Sequence, residues 1–205
     1  MRRAVILLFA GLMAALLGSV AVAGPAVAAG PAAAPAFTVA VPPSGVFSEI
    51  FPPFISARSP ICLDEPGGSA KLYLQMQLYH CHGYASNGGP QRWFWQPQPA
   101  LGSNVYRILS ADNHTNPYLC LGVFFGNPGP GSAVVQAGCT NTTGFDWVLV
   151  PSAVAPHFQL QLLSRPSLCL AAADTSGAND TKVVVHTCVT PTVFYEPPDL
   201  TWQIG

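Results

Sequence analysis

The chain has 205 residues, 8 Lys+Arg against 9 Asp+Glu and a formal charge of −1, with charged residues making up only 8% of it. That leaves no basic stripe, which argues against nucleic acid or an anionic membrane surface as a partner. The 21 prolines and 19 glycines argue against long helices.

In chain order, Met1-Arg2-Arg3 opens with charge, Ala4 to Ala23 is continuously apolar or small, and "AVA" follows at Ala21–Ala23 and Ala26–Ala28. Charge, apolar run and small-x-small in that order predict a secretory signal peptide over residues 1–29. An uncleaved membrane anchor is the alternative, because about 20 apolar residues span a bilayer. No cysteine precedes Cys62, so a lipid on an N-terminal cysteine is excluded. Residues 30–50 read as a Pro/Ala-rich tether and extended N-terminal arm, and residues 51–205 as one domain. Cleavage would remove Arg2 and Arg3 and leave six basic against nine acidic residues, a formal −3. The expectation is a secreted or cell-surface protein that is not membrane-inserted once the signal is gone.

The segment Phe37–Ala57 alternates Phe37, Phe47, Phe51 and Phe54 with prolines. It can lie across a protein partner or pack on its own domain, and both readings stay open here.

The six cysteines follow as Cys62/Cys81, Cys120/Cys139 and Cys169/Cys188, each pair 19 apart. Six cysteines allow 15 connectivities in principle, but three equal spacings at a near-regular period point to local pairing. In an exported chain these are disulfides, each contributing about 3 kcal/mol by restricting the unfolded chain. "ICL" at Ile61–Leu63 is echoed by "LCL" at Leu119–Leu121 and Leu168–Leu170. A β-rich run precedes every second cysteine, and Trp93, Trp147 and Trp202 close the units. About four short strands per unit are predicted, in repeats at about 51–98, 103–151 and 156–205. The alternating aromatics Trp93-Phe94-Trp95 read as core.

With these residues in view, the chain resembles the ricin-type (R-type) lectin domain over roughly Phe51 to Gly205. It rests on Cys62-Leu63-Asp64, on Gln77-x-Tyr79-x-Cys81, on the 19-residue cysteine step and on Gln91-Arg92-Trp93. The resemblance implies an all-β fold, a β-trefoil of three disulfide-stapled repeats, and a non-catalytic carbohydrate-binding module. It also implies a sugar site in the first repeat at Asp64, Gln77, Tyr79 and Gln91, with Asn87 standing in where Pro90 replaces the asparagine often found in the family. A galactose-type glycan is the partner this implies. The equivalent places hold Gly122, Val135 and Ala137 in the second unit and Ala171, Val184 and His186 in the third, so only the first unit is equipped. More distantly, the chain looks like the ricin-like binding subunits of cytolethal distending toxins, which carry N-terminal arms. A partner-binding subunit is therefore the alternative function.

The chemistry suits a sugar. Tyr79 offers a π-face to C–H groups, an ionised Asp64 accepts from hydroxyls, and Gln77 and Gln91 orient hydroxyls or brace the carboxylate. Asp64 serving only as a turn brace is the competing reading. Burial of Asp64, or a wide gap to Tyr79, counts against the sugar site. No metal or other cofactor is expected: His80-Cys81-His82 alternate across a strand, and no C-x-x-C occurs. An enzyme is not expected, because no G-x-S-x-G is present, every cysteine is committed, and no second acid pairs with Asp64 by spacing. Sequons stand at Asn113, Asn141 and Asn179.

Overall fold

The computed structural model describes residues 47–52, 61–82, 89–111, 118–123, 126–139, 144–152, 154, 156–190 and 199–204. The segments expected to be a signal peptide and tether, and most of the expected arm, lie outside the described residues, as does Asn87.

Each unit supplies four strand positions. The first has β1 (Phe47–Ser48) and β2 (Ile50–Phe51), β3 (Ile61–Asp64), β4 (Leu74–Gln75) and β5 (Gln77–His80), and β6 (Trp93–Pro97). The second has β7 (Val105–Ser110), β8 (Leu119–Gly122), β9 (Val135–Gly138) and β10 (Asp146–Pro151). The third has β11 (Phe158–Leu162), β12 (Arg165–Ala172), β13 (Thr181–Thr187) and β14 (Gln203–Ile204). The outer strands of the units pair around a ring: β1 with β6, β6 with β7, β7 with β10 and β10 with β11. A bridge from Phe158 to Trp202 and the β14–β2 pair close it. The inner strands form the hairpins β3–β5, β8–β9 and β12–β13. These meet through β5–β13, β4–β9 and the Ala133–Val184 bridge. A barrel of six strand positions carrying three joined hairpins is a β-trefoil, as expected.

The repeat has one physical purpose in all three units. Trp93, Trp147 and Trp202 are wholly buried. Their indole N–H groups donate to the carbonyls of Leu63 (3.1 Å), Leu121 (2.9 Å) and Leu170 (3.0 Å), each the residue after a leading cysteine. A buried indole needs such an acceptor, so the closing tryptophan ties each outer strand to its hairpin. Trp95 is core as well and donates to Ser48 Oγ at 2.7 Å. The disulfides are Cys62–Cys81, Cys120–Cys139 and Cys169–Cys188, all within units, with Cα separations of 5.1, 5.2 and 5.0 Å. Arg107 clasps Asp146 through Nε and a terminal nitrogen at 3.0 and 3.1 Å, joining β7 to β10.

Residues Phe47–Phe51, most of which the sequence assigns to the arm, pair with β6 and β14, and Ser48, Glu49 and Ile50 are buried. The proline-rich flanks hide this strand from a composition-based boundary.

Candidate functional site

The site begins with strand register. Asp64 ends β3 and lies directly opposite Gln77 on β5, while Cys62 lies opposite Tyr79. Side chains two apart share a face, so Gln77 and Tyr79 are carried together. After Asp64 the chain turns sharply through the 3-10 turn Pro66–Gly68, where Gly67 and Gly68 adopt φ of 67° and 59°. Glycine takes this conformation without steric cost, and the turn brings the chain back beside the carboxylate.

Gln77 Nε2 donates to Asp64 Oδ2 at 2.9 Å, and Gln91 Nε2 donates to Oδ1 at 3.1 Å. Gln91 also donates to the His80 carbonyl (2.9 Å) and accepts from the His82 N–H (2.8 Å). It therefore pins the strand end around Cys81 while holding the acid. Asp64 is only 3% exposed. The burial that counts against the sugar site is therefore found: the acid lies deep, and both glutamines brace it. The two donors to the carboxylate are side-chain amides from β5 and from the turn before β6, which is not the local turn brace. Burial raises its pKa most; hydrogen bonds from Gln77 and Gln91 and the charge of His82 oppose this, and Asp180 adds to it.

Asp64 nevertheless lines a cavity of about 600 Å³, within the range of small-molecule sites. Gln77, Tyr79, His82, Pro90, the Pro66–Gly68 turn and Asp180 complete its walls. Tyr79 is half-buried and meets the His82 ring edge-on, centroids 5.7 Å apart. Gln91 braces from behind and is not a wall residue. Glu65 turns the other way, accepting from Ser110 Oγ at 2.6 Å.

Sequence reasoning missed Asp180 and His82. Asp180 arrives from the third unit through the β5–β13 pairing: its N–H donates to the Leu78 carbonyl at 2.9 Å, and Asn179 Oδ1 accepts from the His80 N–H at 2.9 Å. No local motif announces a contact about a hundred residues distant in the chain. Asp180 also places a second acid on the cavity wall, which the spacing around Asp64 does not suggest.

In the other units the places of Asp64 and Gln77 are apolar, while the third unit has the exposed His186 at the place of Tyr79. In the second, Gly122 lies opposite Val135, and a Cβ on Gly122 would meet the Phe145 ring at 2.2 Å. Phe145 replaces Gln91 in sequence position and sits in a buried cluster with Leu109, Cys120 and Ala137. In the third, Ala171 lies opposite Val184, and both join a buried cluster with Leu200 and Cys169.

No family model and no curated protein matches the sequence. Solved structures match the fold. The Rhizoctonia solani agglutinin is 17% identical with a TM-score of 0.59, over 82% of this chain and 98% of that one. The Macrolepiota procera ricin B-like lectin, solved with lactose, is 16% identical with a TM-score of 0.54, over 78% and 95%. The Haemophilus ducreyi cytolethal distending toxin is 15% identical with a TM-score of 0.55, over 77% and 81%. The chain is thus a β-trefoil similar in fold to ricin B-like lectins and to cytolethal distending toxin chains.

Proposed function

We propose that this chain is an exported, non-catalytic carbohydrate-binding module whose one sugar site is the first-unit cavity. One observation carries the reading. Of the three equivalent stations two are apolar, Gly122 under Phe145 and Ala171 beside Val184. The first instead buries a carboxylate held by two amides, an arrangement that desolvation penalises by several kcal/mol. The fold does not require that cost; burial counts against an open site, and what supports the reading is that Asp64 still lines the cavity together with Tyr79. Tyr79 would stack on the sugar's C–H face, and the braced Asp64, each oxygen holding one amide donor, would keep acceptor capacity for hydroxyls. Lactose in the Macrolepiota procera lectin supports a galactose-type ligand by analogy of fold. Three disulfides support an oxidising, extracellular setting. A single site of this kind binds weakly, about −4 kcal/mol at millimolar affinity, and gains strength by clustering. As a partner-binding surface, Phe37–Ala57 is diminished, since the Phe47–Phe51 backbone is spent on the barrel's own strands.

The test is a glycan array with the oxidised protein beside Asp64→Asn and Tyr79→Ala. Each variant is expected to lose at least about tenfold in affinity, or 1.4 kcal/mol, while retaining a cooperative melt. Wild-type silence across the array, or full binding by both variants, contradicts the proposal.

A further inference from the structure

We propose that Asp180, delivered by the third unit, makes the first-unit cavity select its sugar by charge. It admits neutral and amine-bearing monosaccharides and turns away those carrying a carboxylate or sulfate. The inference rests on the sugar-binding reading above and deepens it.

Two acids, Asp64 and Asp180, share the cavity wall, and among the described residues no lysine or arginine stands on it. Lys182 follows two residues later opposite Gln77, but it is exposed and does not line the cavity. Among the described wall residues, His82 alone can carry positive charge. The Asp180 backbone is firmly set, while its side chain is exposed: its φ is +66°, its N–H is bonded to Leu78, and Thr181 beside it is buried and paired with Leu78. Glycine would take that backbone conformation more cheaply, so what aspartate adds there is a carboxylate beside the ligand space. Its field is already felt within the cavity, where it adds to the upward shift of Asp64. Asp180 is exposed and the cavity opens to solvent, so a ligand carboxylate placed there meets a salt-screened repulsion, whereas an ammonium group is drawn in.

Matched triplets of galactose, galactosamine and galacturonic acid, with their gluco counterparts, provide the experiment. Affinities are measured by ligand-observed NMR at low and high salt, near pH 8 where imidazoles are mostly neutral. The readout is the ratio of uronate to neutral-sugar affinity, which a general loss of binding does not move. The uronate is expected to bind at least about tenfold more weakly than its neutral parent at low salt, and the amine no more weakly. Asp180→Asn, which tolerates the same backbone conformation, is expected to shrink the gap at least threefold, as high salt should in the wild type. A uronate as tight as its parent, or a gap that Asp180→Asn leaves untouched, overturns the charge selection while the sugar site stands. Absence of binding by every neutral sugar removes the sugar site itself and this inference with it.

Discussion

Two residues after its leading cysteine, the first unit buries an aspartate beneath two glutamine amides. At the same station the second unit has Gly122 under the Phe145 ring, and the third has Ala171 beside Val184 and Leu200. The hairpin registers are the same in all three, as are the indole-to-carbonyl bonds that close each unit. Backbone architecture and the chemistry of this station are therefore separable. Units two and three show what the fold alone needs there, and unit one shows what is added.

The difference can be broken most forcefully in the second unit. Gly122→Ala drives a Cβ into Phe145 and the Gly144 carbonyl, at 2.2 and 2.4 Å. Overpacking of this kind costs about 1–3 kcal/mol or more, so thermal melts should show a clear drop in Tm with no effect on sugar affinity. An unchanged Tm would mean that the second unit is not plugged by Phe145.

A smaller effect sharpens the first unit. Burial raises the Asp64 pKa in the folded chain, and unfolding restores the ordinary carboxylate value. Between those two values the folded chain holds the extra proton, so the Asp64 contribution to stability falls as pH rises through the window. Glu49 is raised by the same cause, so the useful quantity is the Tm difference between wild type and Asp64→Asn. That difference should move against the wild type as pH climbs from the ordinary carboxylate range upward. Sugar affinity should rise over the same window, since it needs the ionised acid. Parallel movement of the two curves would contradict this assignment.

The cysteine pairs, the closing tryptophans and the uneven equipment of the units were legible in the sequence because each is a local pattern written three times. What escaped it depends on distant pairing. Asp180 reaches the cavity only because β13 lies beside β5, and Ser48 matters only because Trp95 turns toward it. The depth of Asp64 was also hidden, since spacing shows which face a side chain takes but not how closely the glutamines opposite it fold over. Asn87, offered as a substitute ligand, lies outside the described residues.

The separability of fold and site is tested most directly by rebuilding the first station as the third: Asp64→Ala, Gln77→Val and Gln91→Leu together. Replacing a buried polar cluster by apolar residues is often neutral or stabilising. The triple variant should melt at or above the wild-type temperature and lose sugar binding altogether. A variant destabilised by about 3 kcal/mol, the size of a broken buried ionic contact, or one that still binds its sugar, would contradict the account.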